Sequence, residues 1–410
     1  RFELGFFAPL PGNSSHGRYI GIWYHMYAPR IVVWVANRSK PLTDRSGIFT
    51  INAEDGNLKV LDGNGHTYFS TNLTSSQSSG RTVKLLDSGN LVLSDDDLSG
   101  SSTVLWQSFN NPTDTFLPGM KMDEKLKLTS WRSREDPGIG NFKFQQDQEE
   151  GEGHYLIWKR SKPYWKSGES TGDFISYTDI PNVVTFLLSN FSINIPNRNG
   201  SIYSNISTPS ISDYENTRLL LNSSGEIQYF RWDDHNNKGW SLKWSAPRDQ
   251  CSVYNFCGNF GSCNSKNRLA MCKCLPGFRP SSPDNWNYGD FSGGCTRKTP
   301  ICTDQTDTFF NLTMMKVRNP DIQFDDAESE LDCKMECLNN CQYNAYSYFQ
   351  PQSTLRGSSS KAECWLWTAD LRNLQEYSQG VHDLYVRIFA SDIGIYVFFF
   401  HCMICGGLDV

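Results

Sequence analysis

Eleven cysteines crowd into the stretch from Cys251 to Cys364, and none precedes Cys251. No other feature constrains the fold as much. Residues 251–295 hold six cysteines within 45 residues and too few apolar side chains for a core of their own. Such a segment needs covalent staples, and clustered cysteines in Gly-rich sequence read as disulfide modules of an oxidising compartment. The whole chain has 13 cysteines, an odd number, so at least one lacks a partner within the chain. The last two, Cys402 and Cys405, stand in an apolar tail.

The sequons Asn13, Asn37, Asn72, Asn190, Asn199, Asn205, Asn222 and Asn311 point the same way. One Asn-x-Ser/Thr match means little, but eight beside a cysteine cluster favour a secreted glycoprotein. The net charge is 38 − 44 = −6, which argues against a nucleic-acid partner. Charged residues are 20% and aromatics 13% of the chain, so disorder is also excluded. The chain opens Arg1-Phe2-Glu3-Leu4-Gly5 with no initiator Met and no leader-like segment, as a start inside a domain would. Residues 393–405 are 13 almost wholly apolar residues. A spanning helix needs about 20, so the tail reads either as the first part of a membrane helix or as a short tail on a secreted form.

The first 116 residues read as short strands with turn punctuation. Ile31-Val32-Val33-Trp34-Val35 suits a buried strand. Asp55-Gly56-Asn57-Leu58-Lys59-Val60 is echoed by Asp87-Ser88-Gly89-Asn90-Leu91-Val92, each a Gly-Asn turn entering an alternating strand. The echo predicts pseudo-symmetric β structure. Residues 117–246 continue in this style, as in Ile227-Gln228-Tyr229-Phe230-Arg231-Trp232, and predict a second all-β domain. Residues 302–389 add five cysteines around the helical composition of Ala327–Leu338. There Cys333, Cys337 and Cys341 recur every four residues, on one face of a helix.

Catalytic motifs are weak. Gly168-Glu169-Ser170-Thr171-Gly172 has the spacing of a nucleophile elbow but lacks a convincing helix start after it. No phosphate-cradling loop or kinase motif occurs. Cys402-Met403-Ile404-Cys405 has redox spacing without a βαβ context. We therefore expect no catalytic residue, no cofactor and no metal.

Several runs resemble one family. Glu3-Leu4-Gly5-Phe6-Phe7, Gly21-Ile22-Trp23-Tyr24 and Val33-Trp34-Val35-Ala36-Asn37-Arg38 are similar to the bulb-type (G-type) lectin domain of plant S-locus glycoproteins and S-receptor-like serine/threonine kinases. So are Leu105-Trp106-Gln107-Ser108-Phe109, Pro112-Thr113-Asp114-Thr115 and Leu128-Thr129-Ser130-Trp131-Arg132-Ser133. The resemblance runs to about residue 391. It implies a mainly β chain: a lectin-like β-prism over 1–116, a second lectin-like S-locus domain over 117–246, an EGF-like module over 247–296 and a PAN/apple α+β module over 302–389, with the tail at 390–410. In full-length relatives a membrane helix and a kinase follow.

Bulb lectins of this family that bind mannose use Gln-x-Asp-x-Asn-x-Val-x-Tyr. Aligned on Asn57 the chain offers Ala53, Asp55, Asn57, Lys59 and Leu61; aligned on Asn90 it offers Leu86, Ser88, Asn90, Val92 and Ser94. Gln and Tyr are lost from both, at about 1–3 kcal/mol per missing hydrogen-bond partner. Asn57 and Asn90 then read as turn residues. Any residual sugar site would rest on Asp55, Asn57 and Asn90.

The resemblance also implies disulfides Cys251–Cys263, Cys257–Cys272 and Cys274–Cys295 in the EGF-like module, and Cys302–Cys341 and Cys333–Cys364 in the PAN-like one. Zinc is the rival use of such cysteines, but the EGF-like module has no Cys-x-x-Cys pair. Asp249 stands without the acidic companions of calcium-binding modules. Tyr343 occupies the fifth of the six PAN cysteine positions, which leaves Cys337 unpaired, to weaken the module or to pair elsewhere, between chains included. The resemblance implies an extracellular recognition region, either on the outer face of the plasma membrane or secreted without a kinase. Its implied partners are a secreted cysteine-rich peptide or another extracellular protein, and a second copy or co-receptor; a carbohydrate ligand is the third hypothesis.

Overall fold

A computed structural model describes residues 1–9, 17–74, 80–96, 102–148, 154–167, 180–189, 214–233, 239–267, 270–302, 307–313, 315–317, 320–350, 362–376 and 383–392. The chain divides into two compact units, one holding Arg1–Ser167 with Asp179–Pro247 and the other holding Arg248–Val410. Four modules of sequence thus condense into two bodies.

The first unit begins with three antiparallel three-stranded sheets. They are Phe2–Phe7, Tyr19–Tyr24 and Val32–Val35; Ile48–Ile51, Leu58–Leu61 and Thr67–Ser70; and Arg81–Leu85, Leu91–Asp96 and Ser102–Gln107. Period-2 patterning builds the middle strand of the second sheet: Leu58 and Val60 are buried, while Lys59 and Leu61 are partly exposed. Tyr19–Tyr24 is buried at every position, as a strand covered on both faces must be. The two echoed turns close the second and third sheets. Asn52 N–H donates to Asn57 O at 2.8 Å, and Leu86 N–H to Asn90 O at 2.9 Å. Gly56 takes φ +67° there, a left-handed conformation that glycine adopts without the strain of a side chain.

Two four-stranded sheets follow among the described residues. One is Lys127–Ser133, Asp136–Gln146, Tyr155–Lys159 and Lys162–Lys166 in order. The other runs Thr115–Phe116, Thr217–Leu221, Ile227–Asp233 and Gly239–Ala246. The strand expected at the end of the first domain therefore pairs inside the second. One large apolar core runs from Ile20 through Phe116 and Leu128 to Ala246, beside a smaller cluster of Phe7, Tyr19, Trp23 and Val35. A short helix, Asn182–Leu188, adds Val184, Leu187 and Leu188 to it.

Arg38, 8% exposed, locks the two halves together. Its Nε donates to Pro137 O at 2.7 Å and its Nη1 to Thr129 O at 2.9 Å, and Nη2 reaches Ser130 O. Asp114 is buried nearby and accepts from Thr113 Oγ1 at 3.0 Å. Burial pushes the Asp114 carboxyl up to about 6, although Arg38 and Arg218 favour its charged form.

In the second unit the small cysteine-stapled strands join the larger module. Cys272–Cys274, Gly261–Cys263, Leu374–Glu376 and Met315–Lys316 form one sheet in that order. Its central contact is a parallel pairing of Ser262 with Leu374 and Cys263 with Gln375. A two-stranded ribbon pairs Phe278–Pro280 with Cys295–Arg297. A five-stranded sheet orders Asp307–Leu312, Leu384–Phe389, Ala345–Phe349, Glu363–Trp367 and Ile322–Phe324. The helix Glu330–Asn339 packs near it and opens with a Ser329/Asp332 capping box. Cys333 and Cys337 face inward at 0% exposure, but the helix ends at Asn339. The expectation of three cysteines on one helix is thus corrected: Cys341 lies in the turn beyond, which lets it reach Cys302.

Arg387 closes that helix. Its Nη1 donates to Cys337 O at 3.0 Å and Asn340 O at 2.9 Å, Nη2 to Leu338 O at 3.0 Å, and Nε to Asp307 at 2.7 Å. One guanidinium satisfies carbonyls that a helix end leaves without partners. No helix among the described residues is long and apolar enough to cross a membrane. The apolar tail, Cys402, Cys405 and the Gly168–Gly172 motif lie outside the described residues.

Candidate functional site

The sugar-motif residues are the first candidates, and their side chains are spent on the fold. Asn57 is 4% exposed; its Oδ1 accepts from Thr71 Oγ1 at 2.9 Å and Leu73 N–H at 2.6 Å. Asp55 Oδ1 accepts from Asn57 N–H at 3.0 Å, and its Oδ2 lies 2.6 Å from Lys59 Nζ. Lys59 holds the Asp55 carboxyl below its usual range. Asn90 donates to Gln107 Oε1 at 2.8 Å and accepts from Ser108 Oγ and Phe109 N–H, each at 3.2 Å. The residual sugar site expected at Asp55, Asn57 and Asn90 is therefore corrected. Two of the three are buried and bonded, and Lys59 neutralises the third.

Four of the sequons fall within the described residues. Asn72 and Asn311 are exposed, and Asn222 is half-buried in a turn where its Nδ2 bonds Glu226 at 3.0 Å. Asn37 overturns its expectation. It is 2% exposed, its Nδ2 donates to Arg18 O and Lys40 O at 3.1 Å each, and its Oδ1 accepts from Ile20 N–H at 2.9 Å. A glycan on that nitrogen has no room in the folded chain. Asn13, Asn190, Asn199 and Asn205 lie outside the described residues.

The structure joins Cys251–Cys263, Cys257–Cys272, Cys274–Cys295, Cys302–Cys341 and Cys333–Cys364. Cys257, Cys263 and Cys272 come close enough together to hold a metal ion, but all three sulfurs are committed to disulfides. Cys337 is a free, fully buried thiol. Burial pushes it up to about 12, far from the thiolate a disulfide exchange needs. Tyr343, 8% exposed, packs in the same apolar cluster. Pairing of Cys337 between folded chains is thus corrected, because the sulfur does not reach the surface.

A site the sequence did not single out lies in the first unit. A cavity of about 240 Å³ opens between the turn after Tyr19–Tyr24 and the strands Ile227–Asp233 and Gly239–Ala246. Four of the lining rings pack on one another in a closed circuit at its wall. Centroid separations are 6.0 Å for Tyr24–Tyr27, 5.1 Å for Tyr27–Trp232, 5.9 Å for Trp232–Trp240 and 4.9 Å for Trp240–Tyr24. Trp232 and Trp240 are direct cross-strand partners, which fixes their spacing. The Arg218 guanidinium, 6% exposed, lies 5.0 Å from the Trp240 ring and 4.6 Å from Phe230. Its burial there is eased by the ring faces.

Polar groups complete the wall. Arg1 donates to Asn216 Oδ1 at 3.1 Å and lies 3.4 Å from Glu215. His25 contacts the Glu3 carboxylate, which it holds below the usual carboxylate range, with Trp23 adding a second hydrogen bond. Met26 sits at the lining 87% exposed with φ +64°. A bulky residue in the left-handed region costs about 1–2 kcal/mol, and such outliers gather at functional sites. The circuit joins residues more than 200 positions apart in sequence. The cross-strand Trp pair flanking a short gap was the only sequence signal that could have found it.

Three family models match this chain. A D-mannose binding lectin model matches residues 31–133, an S-locus glycoprotein domain model residues 148–282 and a PAN-like domain model residues 302–374. A G-type lectin S-receptor-like serine/threonine-protein kinase of Arabidopsis thaliana is 50% identical over 404 residues, covering 97% of this chain and 45% of the relative. A second such kinase from the same plant is 38% identical over 408 residues, 96% of this chain and 46% of its own length. The chain thus spans less than half the length of these relatives. The Arabidopsis thaliana protein named as an inactive G-type lectin S-receptor-like serine/threonine-protein kinase, SRK, is 34% identical over 403 residues, with 96% of this chain and 69% of the relative covered. The chain belongs to the G-type lectin S-receptor-like serine/threonine-protein kinase family.

Proposed function

We propose that this chain is the extracellular recognition region of a plant receptor-like kinase, working by binding and not by chemistry. The observation that carries this reading is the end-to-end match to receptor kinases, 97% of this chain against 45% of the relative. The matched length holds binding domains and five disulfides of the kind an oxidising compartment sustains. In the whole protein a membrane helix and a serine/threonine kinase follow. The region's partners are a secreted cysteine-rich peptide or another extracellular protein, and a second receptor that ligand binding draws in. Two compact units suit that role, because binding loops are commonly carried on such packed scaffolds.

The test is topology. The full coding sequence, expressed in plant cells, is expected at the plasma membrane with this region outside, disulfide-bonded and N-glycosylated at Asn72 and Asn311. A reduced, unglycosylated region facing the cytosol would sink the proposal.

A further inference from the structure

We infer that the Cys302–Cys341 bridge is a site of thiol–disulfide exchange: an external dithiol attacks it at Cys341 and expels Cys302, while the other four bridges stay closed.

Accessibility sets this bridge apart. Cys251–Cys263, Cys257–Cys272 and Cys333–Cys364 are buried at both ends, and Cys274–Cys295 is buried at Cys295. Each of these four packs in an apolar cluster. Cys341 is exposed and Cys302 half-buried, and among the described residues neither joins such a cluster. Exchange needs a sulfur that an incoming thiolate can reach, and Cys341 meets that need. The free thiol of Cys337 is buried and cannot be the attacker, so the reductant comes from outside the chain.

Hydrogen bonding sets the direction. Arg387, 3% exposed, donates from Nη2 to Cys302 Sγ at 2.9 Å. Asp307 accepts from Arg387 Nε at 2.7 Å and offsets its charge, but the Nη2 donor still serves the sulfur. Such a donor stabilises the negative charge that a leaving sulfur gathers, and a better-stabilised thiolate leaves faster. The incoming thiolate therefore bonds to Cys341 Sγ, the sulfur–sulfur bond breaks, and its electron pair departs on Cys302. The second thiolate of the dithiol then attacks the mixed disulfide and releases Cys341. The reductant ends as a disulfide, and the protein gains two electrons and two protons on its two sulfurs.

Opening loosens one joint. Cys302 stands at φ +64°, a strained conformation for a residue with a side chain. The bridge ties it to the turn just past the helix Glu330–Asn339. Cleavage lets Cys302 relax and leaves Arg387 to hold the Cys337, Leu338 and Asn340 carbonyls. Cys333–Cys364 still pins the helix to the sheet, so the change is local opening and not unfolding.

The experiment pulses the intact, oxidised chain with low-millimolar dithiothreitol, alkylates it with iodoacetamide and maps the labelled peptides. Cys302 and Cys341 should appear together, about tenfold ahead of any other bridge. A glutathione pulse, read at its earliest points, should leave the adduct on Cys341 and the alkyl group on Cys302. Hydrogen exchange over residues 335–344 should quicken about tenfold on opening, while residues 345–349 and 363–367 hold their protection. The double variant Cys302→Ser/Cys341→Ser should show the same exchange pattern; should it not fold, the pulses on the unaltered chain decide alone. Parallel opening of all five bridges, or earlier opening of Cys274–Cys295, overturns the inference. So does glutathione on Cys302, or a loss of protection throughout the second unit when the bridge opens.

Discussion

Asn255 and Asn373 exchange hydrogen bonds across the seam of the second unit. The backbone N–H of Asn255 donates to Asn373 Oδ1 at 3.1 Å, and the N–H of Asn373 donates to Asn255 Oδ1 at 3.0 Å. Both residues sit at positive φ, +50° and +57°, a conformation that Asn tolerates better than most residues. Each side chain thus stands in for the backbone partner that a turn would otherwise supply.

Either change, Asn255→Ala or Asn373→Ala, should cost about 1–2 kcal/mol, one hydrogen bond plus left-handed strain. The double variant should cost less than the sum, with a coupling of about 0.5–1 kcal/mol. Urea melts of the four proteins give the cycle. Strict additivity would mean that the pair does not act as one clamp.

Arg38→Ala should strip buried Thr129, Ser130 and Pro137 carbonyls of their donor. With about 1–3 kcal/mol for each orphaned group, the first unit should lose about 3–5 kcal/mol. Arg38→Lys should recover only part of this, since an ammonium cannot fork to several carbonyls. A thermal shift below 2 °C for Arg38→Ala would show that the joint does not depend on it.

Acid should stabilise the first unit over one window. The folded Asp114 carboxyl titrates at about 6, against an ordinary 3.8. The folded state therefore holds this proton more tightly than the unfolded chain does. That contribution is complete below the ordinary value and is lost as pH rises through about 6. Its upper size is about 3 kcal/mol. Asp114→Asn should flatten the pH dependence of Tm between pH 4 and 7; an unchanged slope would assign the effect to other groups.

Glycopeptide mass spectrometry should find Asn72 and Asn311 occupied and Asn37 bare. Asn37→Gln should destabilise the fold without removing a glycan, because Asn37 Oδ1 and Nδ2 hold Ile20, Arg18 and Lys40 backbone groups. A glycan found on Asn37 would contradict the packing around it.

Cys337 should resist alkylation in the native protein and react only in denaturant. Its thiol is buried beside Tyr343, Tyr346 and Leu366. A disulfide-linked dimer that survives non-reducing electrophoresis and vanishes in Cys337→Ala would overturn this.

Much of the scaffold was legible before any coordinates. Alternation such as Leu58-Lys59-Val60 marks a half-buried strand, and the Gly-Asn turns at 56–57 and 89–90 mark hairpins, because the chemistry of both is local. What escaped was everything assembled at long range. Nothing local marks the role of Arg38, since its partners are backbone carbonyls about a hundred residues away. Asn37 matched a sequon because three residues cannot show burial. The aromatic circuit pairs Tyr24 and Tyr27 with Trp232 and Trp240, and no window of sequence holds all four.

The parallel pairing of Ser262 with Leu374 bears on how such chains can be recombined. An exchange that imports either cysteine-rich module alone would bare a strand edge and discard the Asn255–Asn373 clamp, leaving an invitation to stick to other chains. Residues 248–392 should therefore pass between receptors as one indivisible cassette. Hybrids cut between residues 296 and 302 are expected to be lost to quality control, while hybrids cut at Pro247 survive.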